Sequence, residues 1–204
     1  MSKAIGKLLV AFVAMALSVT APANATPIAP DDFNAENGGV PQLNYFGFGH
    51  YTVSSGSVDL IGNGYYDAYP GNGLYVDVAG STGQYGALTT NTVYGAGHYE
   101  ALLGLGGPIY SGITDGVRVS WAGGFQDFIL NGLTTNSFAF DINLTSPSAL
   151  TVSDLALSGN PNIGATLFGL AVQPRTAVPE PSSLALFGTA IAGVFARRRR
   201  HKKS

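Results

Sequence analysis

The chain has 204 residues, no cysteine and a formal net charge of −2 at pH 7. The charge is unevenly distributed, because residues 26–176 contain eleven acidic residues and only Arg118 and Arg175 as basic ones, a net charge of −9. This balance disfavours binding to nucleic acid or to an anionic membrane surface. The absence of cysteine excludes a disulfide framework, a thiolate metal site and a cysteine nucleophile.

The first segment, residues 1–25, has the three parts of a secretory signal peptide. Lys3 and Lys7 supply the positive region, residues 8–19 form a nearly unbroken apolar stretch, and Ala23-Asn24-Ala25 has the small-x-small pattern of a cleavage site. We therefore predict an N-terminal signal helix, export, and cleavage by signal peptidase after Ala25.

Residues 26–176 predict one all-β domain, a single antiparallel β-sandwich. Phe138, Phe140, Ile142 and Leu144 alternate with polar or small residues, which is the period of a half-buried strand, and Val117, Val119 and Trp121 repeat the pattern. We predict that Trp121 and the four residues of 138–144 lie in the core. Further strands are predicted over 74–78, 85–93, 98–105, 150–157 and 165–172, about eight in all, with glycine-rich turns between them.

One connection is predicted to be a hairpin. Residues 51–53 and 58–60 are apolar at alternate positions and flank Ser54-Ser55-Gly56-Ser57, a composition typical of a turn between paired strands.

Few residues of this domain suggest catalysis. His50 and His98 are its only histidines, and the sequence has no nucleophile elbow, no zinc-protease motif and no phosphate loop. Two aspartates could still pair across strands as a glycosidase dyad; the candidates are Asp59, Asp67, Asp77, Asp115, Asp127 and Asp141. We expect a protein that is not an enzyme, with a secreted carbohydrate-active enzyme as the alternative.

The stretch 61–78 offers a candidate glycan site. Its tyrosines could stack on sugar rings while neighbouring amide and carboxylate groups bind sugar hydroxyls; the candidate contacts are Tyr65, Tyr66, Asp67 and Tyr69. Gly62-Asn63-Gly64 and Gly71-Asn72-Gly73 recur nine residues apart, and we interpret them as two tight turns in which glycine and asparagine adopt positive φ.

A structural calcium ion is a further hypothesis for this acidic domain, with Asp31, Asp32 and Glu36 as candidate ligands. No other cofactor is expected.

The last segment, 177–204, combines three features in a fixed order. Val178-Pro179-Glu180-Pro181 is predicted to be extended, because each proline disfavours a helix, and residues 182–196 are mostly apolar. As a helix this span reaches about 22 Å, shorter than the roughly 30 Å hydrocarbon core of a bilayer. The basic block that begins at 197 should remain in the cytoplasm. We predict a short transmembrane helix that serves processing, with a plain single-pass anchor as the alternative.

This segment resembles the PEP-CTERM sorting signal of Gram-negative bacteria in residues 178–181, the apolar span and Arg197-Arg198-Arg199-Arg200. Such a tail is also labelled an ice-binding protein C-terminal domain. The resemblance implies recognition by exosortase, an integral-membrane cysteine transpeptidase, and a transient stay in the inner membrane. It also implies an exported protein associated with exopolysaccharide or biofilm.

A second resemblance concerns the domain itself. The domain resembles a set of passenger domains of such proteins, and those passenger domains look like galactose-binding-type jelly rolls. The resemblance lies in residues 33–39, Leu43-Asn44-Tyr45, 58–64 and 71–77. It implies the fold and no binding residues. We expect a surface or matrix protein that contacts exopolysaccharide, with a purely structural coat protein without a ligand as a second alternative.

Overall fold

The structure, a computed structural model, describes residues 32–175. The predicted signal helix, Asp31 and the whole sorting segment lie outside these residues. After a short 3₁₀ helix at Glu36–Gly39 the chain forms ten strands: β1 (Tyr51–Ser55), β2 (Asp59–Gly62), β3 (Leu74–Asp77), β4 (Ala87–Thr90), β5 (Gly97–Gly106), β6 (Thr114–Trp121), β7 (Gly124–Asn131), β8 (Thr135–Leu144), β9 (Thr151–Asp154) and β10 (Thr166–Pro174). In this part of the chain no helix has the length and apolar character needed to cross a membrane.

The strands build two antiparallel sheets that enclose one core, so the predicted β-sandwich is confirmed. The first sheet has the order β1-β4-β9-β6-β7, and the second has the order β2-β3-β10-β5-β8. The edge strands β7 and β8 face each other, since the Phe128 ring lies 4.8 Å from Phe138 and 5.0 Å from Phe140.

The period-two pattern of 138–144 places these residues as predicted. Ile142 and Leu144 are buried in the core, and the intervening residues are exposed. Phe138 and Phe140 face the same side but remain half-buried, because β8 ends its sheet. Trp121 is also half-buried, at the last position of β6. The register is therefore confirmed, while the burial of the three aromatic residues is incomplete.

The predicted hairpin over 51–60 is wrong. β1 pairs with β4 in the first sheet and β2 pairs with β3 in the second, so the intervening residues carry the chain between sheets. Gly56 has a φ of +56°, and a Cβ there would collide with the backbone carbonyl of Tyr85. Glycine allows this close crossing because it has no Cβ. Its presence predicts a turn, but it does not predict that the chain passes from one sheet to the other.

Strand β7 was missed by the sequence pattern. Phe128 and Leu130 point into the core, whereas Phe125 and Ile129 point outward and are more than half exposed. Apolar residues on both faces of this edge strand obscure the two-residue period.

The two sides of the sandwich differ in whether their edge strands are covered by further chain. Residues 32–50, here called the covering segment, close the edge of β2: Gln42 exchanges two backbone hydrogen bonds with Leu60, and the Tyr45 N–H donates to Val58. Phe33 anchors this segment in the core with no exposed surface. On the opposite side, β7 and β8 have no further strand beside them among the described residues.

Candidate ligand groove and sorting motif

A shallow groove of about 390 Å³ crosses the outer face of the second sheet, over β8, β5 and β10. Its floor consists of small residues, because Ser137, Gly104 and Gly169 lie directly beside one another on the three strands. Leu102 and Phe168 rise on either side of the floor, and Leu102 is 41% exposed. Glycine within paired strands thus opens a mostly apolar depression on a sheet face.

Polar groups occupy the end of this face towards the start of β5. Glu100 lies opposite both Asp141 and Gln173, and the Gln173 amide donates to the Glu100 carboxylate at 2.7 Å. Arg175 forms an ion pair with Asp141. The face therefore combines an apolar depression with fixed hydrogen-bonding groups, which is the usual composition of a small-molecule site.

The tyrosine-rich stretch lies on the same face, above β2 and β3. Tyr65 and Tyr66 are exposed at 42% and 58%, and their rings meet edge to face at 4.8 Å. These two candidate glycan contacts are accessible, and their role stays a prediction.

Tyr69 is packed within the fold, and Asp67 makes local hydrogen bonds, so that its role as a glycan contact stays a prediction. Tyr69 is only 7% exposed, and its hydroxyl donates to the Gly107 carbonyl at 2.8 Å. Asp67 accepts the Gly64 N–H at 3.0 Å and the Tyr75 hydroxyl at 3.2 Å. Burial raises the pKa of Tyr75 to about 12, so this hydroxyl stays protonated as a donor. The expectation that Tyr69 contacts a glycan is therefore corrected, because its ring belongs to the packing of the fold.

The same packing brings the stretch to the edge of the groove. The Phe168 ring contacts those of Tyr69 and Tyr75, each at 5.2 Å. The two predicted turns also form as expected: Asn63 has a φ of +51° and Gly71 one of +93°. This stretch covers one half of the outer face and leaves the other half open.

Two of the predicted carboxylates meet across strands, but away from the groove. Asp59 and Asp77 are directly opposite on β2 and β3 and are 6% and 4% exposed. The Asp59 carboxylate accepts the Asn44 N–H at 2.7 Å and also bonds both the N–H and the hydroxyl of Ser81. These contacts tie loops to the sheet, and the burial of both groups keeps them from reaching a substrate.

Asp115 and Asp154 lie near Asp59 and Asp77, and these four aspartates are here called the acidic cluster. Burial first, and then the neighbouring charges of Asp59, Asp154 and Asp115, raise the pKa of Asp77 well above its usual range. Burial followed by the charge of Asp115 raises the pKa of Asp154 to about 7. One oxygen of Asp154 is buried without a hydrogen-bond partner among the described residues, whereas Asp115 accepts N–H groups of Gly116, Leu157 and Ser158. The raised pKa values mean that Asp77 and Asp154 bind their protons more tightly than exposed carboxyl groups do.

Asp32 and Glu36, two of the predicted calcium ligands, bind backbone groups within the covering segment. Both oxygens of Glu36 accept the Gly49 N–H, at 3.0 and 3.2 Å, and Asp32 accepts the Asn34 N–H. Within residues 32–175, no three histidine, aspartate or glutamate side chains are grouped closely enough to hold a metal ion. Asp31 lies outside this range.

The groove is not apparent from the sequence. Its residues are far apart in the chain, and only the register of β8, β5 and β10 brings them together. Gly104 and Gly169, each inside an apolar strand pattern, were the one available signal, since glycine in a strand often marks a close approach to another group.

Solved structures with a similar arrangement include three carbohydrate-related proteins. An exo-β-1,3-galactanase from Phanerochaete chrysosporium is 19% identical with a TM-score of 0.38, over 60% of this chain and 27% of that chain. The CBM36-1 domain of a multidomain xylanase from the hindgut metagenome of Trinervitermes trinervoides is 13% identical with a TM-score of 0.43, over 62% and 92%. A family 35 carbohydrate binding module from Clostridium thermocellum is 14% identical with a TM-score of 0.38, over 65% and 95%.

These similarities concern the arrangement of strands, and at such TM-scores they say nothing about a ligand of this chain. A search of the curated proteins finds no match.

The tail gives a specific match. Residues 177–200 match the PEP-CTERM protein-sorting motif, and this span includes the predicted Val178–Pro181 and Arg197–Arg200. These residues lie outside the described part of the chain. The chain therefore carries a PEP-CTERM sorting motif, which marks it as an exported protein that exosortase processes at the membrane.

Proposed function

We propose that this protein is a non-catalytic surface or matrix protein that contacts exopolysaccharide through the groove of its second sheet. The observation that carries the proposal is an open, mostly apolar groove of about 390 Å³ on a sheet face that also carries Glu100 and Gln173, in a chain with an export-sorting motif. Exosortase and signal peptidase act during export, and the mature domain remains at the cell surface or in the matrix.

The composition of the groove suits a sugar ring. A sugar presents a C–H face that packs on apolar surface and hydroxyls that need hydrogen-bonding partners. Leu102 and Phe168 offer the apolar surface, while Glu100 and Gln173 hold their polar ends in a fixed position beside it.

The charges favour a neutral polysaccharide over an anionic one. Arg118 and Arg175 are the only basic residues of the domain apart from histidine. Asp127 engages Arg118 through two hydrogen bonds of 2.7 and 2.8 Å, and Asp141 engages Arg175. No unpaired arginine or lysine of residues 32–175 is available to an anionic sugar, and the excess of acidic residues would repel one.

Binding of the mature exported protein to polysaccharide from its own host tests the groove. Leu102→Asp places a charge on the apolar wall and should reduce binding about tenfold or more, because a charge there needs solvation that a bound sugar would remove. Gly104→Ala should weaken binding less, since its Cβ fits 3.4 Å from Phe168 and narrows the floor. Thr52→Asp, an exposed change on the first sheet, is the matched control and should bind normally.

Two results would overturn this part of the proposal. Equal binding by Leu102→Asp and the control, with unchanged melting temperatures, would remove the groove as the site. Release of reducing sugar by the wild-type protein that is lost in Glu100→Gln would mean that the protein is an enzyme.

Sorting is tested separately by the tail. Replacing Pro179, Glu180 and Pro181 with alanine should cause the full-length form to accumulate in the membrane fraction, because exosortase would lose its motif. Removing the basic residues after Ala196 should instead let unprocessed protein escape, since the positive block holds the orientation. Intact protein in surface material, still carrying Arg197 to Ser204 by mass spectrometry, would mean that the tail is only an anchor.

A further inference from the structure

The outer edge of β8 is long, and Asp141 is its only feature of the kind that usually prevents association. The strand has ten residues without proline, glycine, lysine or arginine, and it pairs on one side only, with β5. By contrast, the edge of β2 is closed by the backbone of Gln42 and Tyr45. Proteins normally protect an exposed edge by shortening, charging or covering it, because its free N–H and C=O groups accept another strand.

The core is incompletely covered beside this edge. Phe138, Phe140 and Trp121 pack against the core but stay half-buried, and the Trp121 and Phe140 rings lie 6.2 Å apart. A further strand beside β8 would bury this aromatic seam and satisfy the free backbone groups together.

The sequence of β8 is complementary to itself in one antiparallel register. If Ala139 of one copy lies opposite Ala139 of a second copy, then Phe138 lies opposite Phe140 on the core side. On the outer side, Ser137 lies opposite Asp141 and Thr135 lies opposite Asn143. Every pair shares a face, as antiparallel pairing requires. These pairs match aromatic with aromatic and hydroxyl with carboxylate or amide, and the one mismatched pair is Asn136 opposite Ile142.

Charge does not oppose this register. Asp141 is the only ionised side chain of β8, and it already pairs with Arg175. The two Asp141 residues of a pair would be four positions apart along the strands, about 13 Å, which exceeds the screening length of roughly 8 Å at physiological salt.

We propose that β8 pairs with β8 of a second copy about a two-fold axis at Ala139. This joins the two second sheets into one continuous sheet of ten strands and places both grooves on the same face. The inference rests on the strand edge and on the register of β8 and not on sugar binding, although Ser137 and Ala139 also line the groove.

Cysteine cross-linking of the mature exported protein provides the test, because the chain has no cysteine of its own. In Ala139→Cys the two thiols would face each other across Cα atoms about 4.5–5.5 Å apart, a separation that a disulfide spans. Mild oxidation should give mainly a covalent dimer. Thr52→Cys, an exposed position on the outer face of β1, is the matched control and should cross-link about tenfold less, because only pairing raises the local thiol concentration.

A second measurement separates association from folding. The wild-type protein should sediment as a dimer at micromolar concentration, and Ala139→Lys should sediment as a folded monomer, because two lysines would face each other at the axis. Thr52→Lys should remain dimeric. A monomeric wild-type protein, or equal cross-linking of the two cysteine variants, would overturn the proposal.

Discussion

The two halves of the sandwich have similar strands but differ in whether their edges and outer faces are covered. Around β2 and β3, the covering segment and the tyrosine-rich stretch close both an edge and an outer face, and Phe33 and Tyr75 have no exposed surface. Around β5 and β8, the same sheet presents a groove, an open edge and half-buried aromatic rings. The difference indicates that the first half stabilises the fold, whereas the second half is available for contacts with other molecules.

The largest effect should come from the anchor of the covered half. Phe33→Ala should destabilise the domain by about 3–5 kcal/mol, the usual cost of removing a fully buried aromatic side chain. Phe140→Ala, on the open half, should cost less because its ring is half-buried. Chemical denaturation of the two variants measures both values. A cost for Phe140→Ala equal to that for Phe33→Ala would remove the distinction between the halves.

Replacing glycine with alanine should show a smaller difference in stability, again with the larger cost outside the open half. A Cβ on Gly86, which lies beside the crossing between sheets, would collide with the backbone oxygens of Ser57 and Val78. Gly86→Ala should therefore cost about 1–3 kcal/mol. Gly104→Ala, in the groove, should cost clearly less because its nearest contact is an ordinary 3.4 Å. Equal melting temperatures for the two variants would contradict the close packing at the crossing.

The acidic cluster predicts a modest dependence of stability on pH. Since the pKa of Asp154 is raised to about 7 in the fold, the folded protein holds a proton that the unfolded chain releases near pH 4. The contribution of this proton is fully present below about pH 4 and is lost as the pH rises to about 7. Asp154→Asn should flatten the pH profile by on the order of 1 kcal/mol, allowing for the partial exposure of the group. Identical profiles for wild type and variant between pH 4 and 7 would exclude this role.

The smallest effect is expected for the exposed ring of the tyrosine stretch. Tyr66→Ala should change the stability of the domain by less than about 0.5 kcal/mol, because the ring is mostly in solvent. It should also leave polysaccharide binding unchanged if the groove is the site. Loss of binding in Tyr66→Ala with normal binding in Leu102→Asp would transfer the site to this stretch.

Much of the fold follows from local patterns. The two-residue period of 138–144 predicted which side chains of β8 face the core, and the glycine and asparagine of the two turns predicted their positive φ values. Pairing between strands could not be predicted in the same way. The segment 51–60 has the composition of a hairpin, yet its strands belong to different sheets.

The candidate site was harder to predict than the fold. Tyr69 and Tyr66 are three residues apart and equally plausible as sugar contacts, but only the packing against Phe168 decides that Tyr69 is buried. Likewise, Gly104 and Gly169 form one floor only because β5 and β10 pair. Function here depends on contacts between distant segments, and a local pattern does not contain them.

Hydrogen exchange on the mature protein, free and bound to polysaccharide from its host, tests the central claim most directly. Binding should slow exchange in β5 and β10, beneath the groove, while exchange in the covering segment should be unchanged. Slower exchange confined to residues 63–73, or no binding of the polysaccharide, would contradict the assignment of the open half as the ligand-binding part of the molecule.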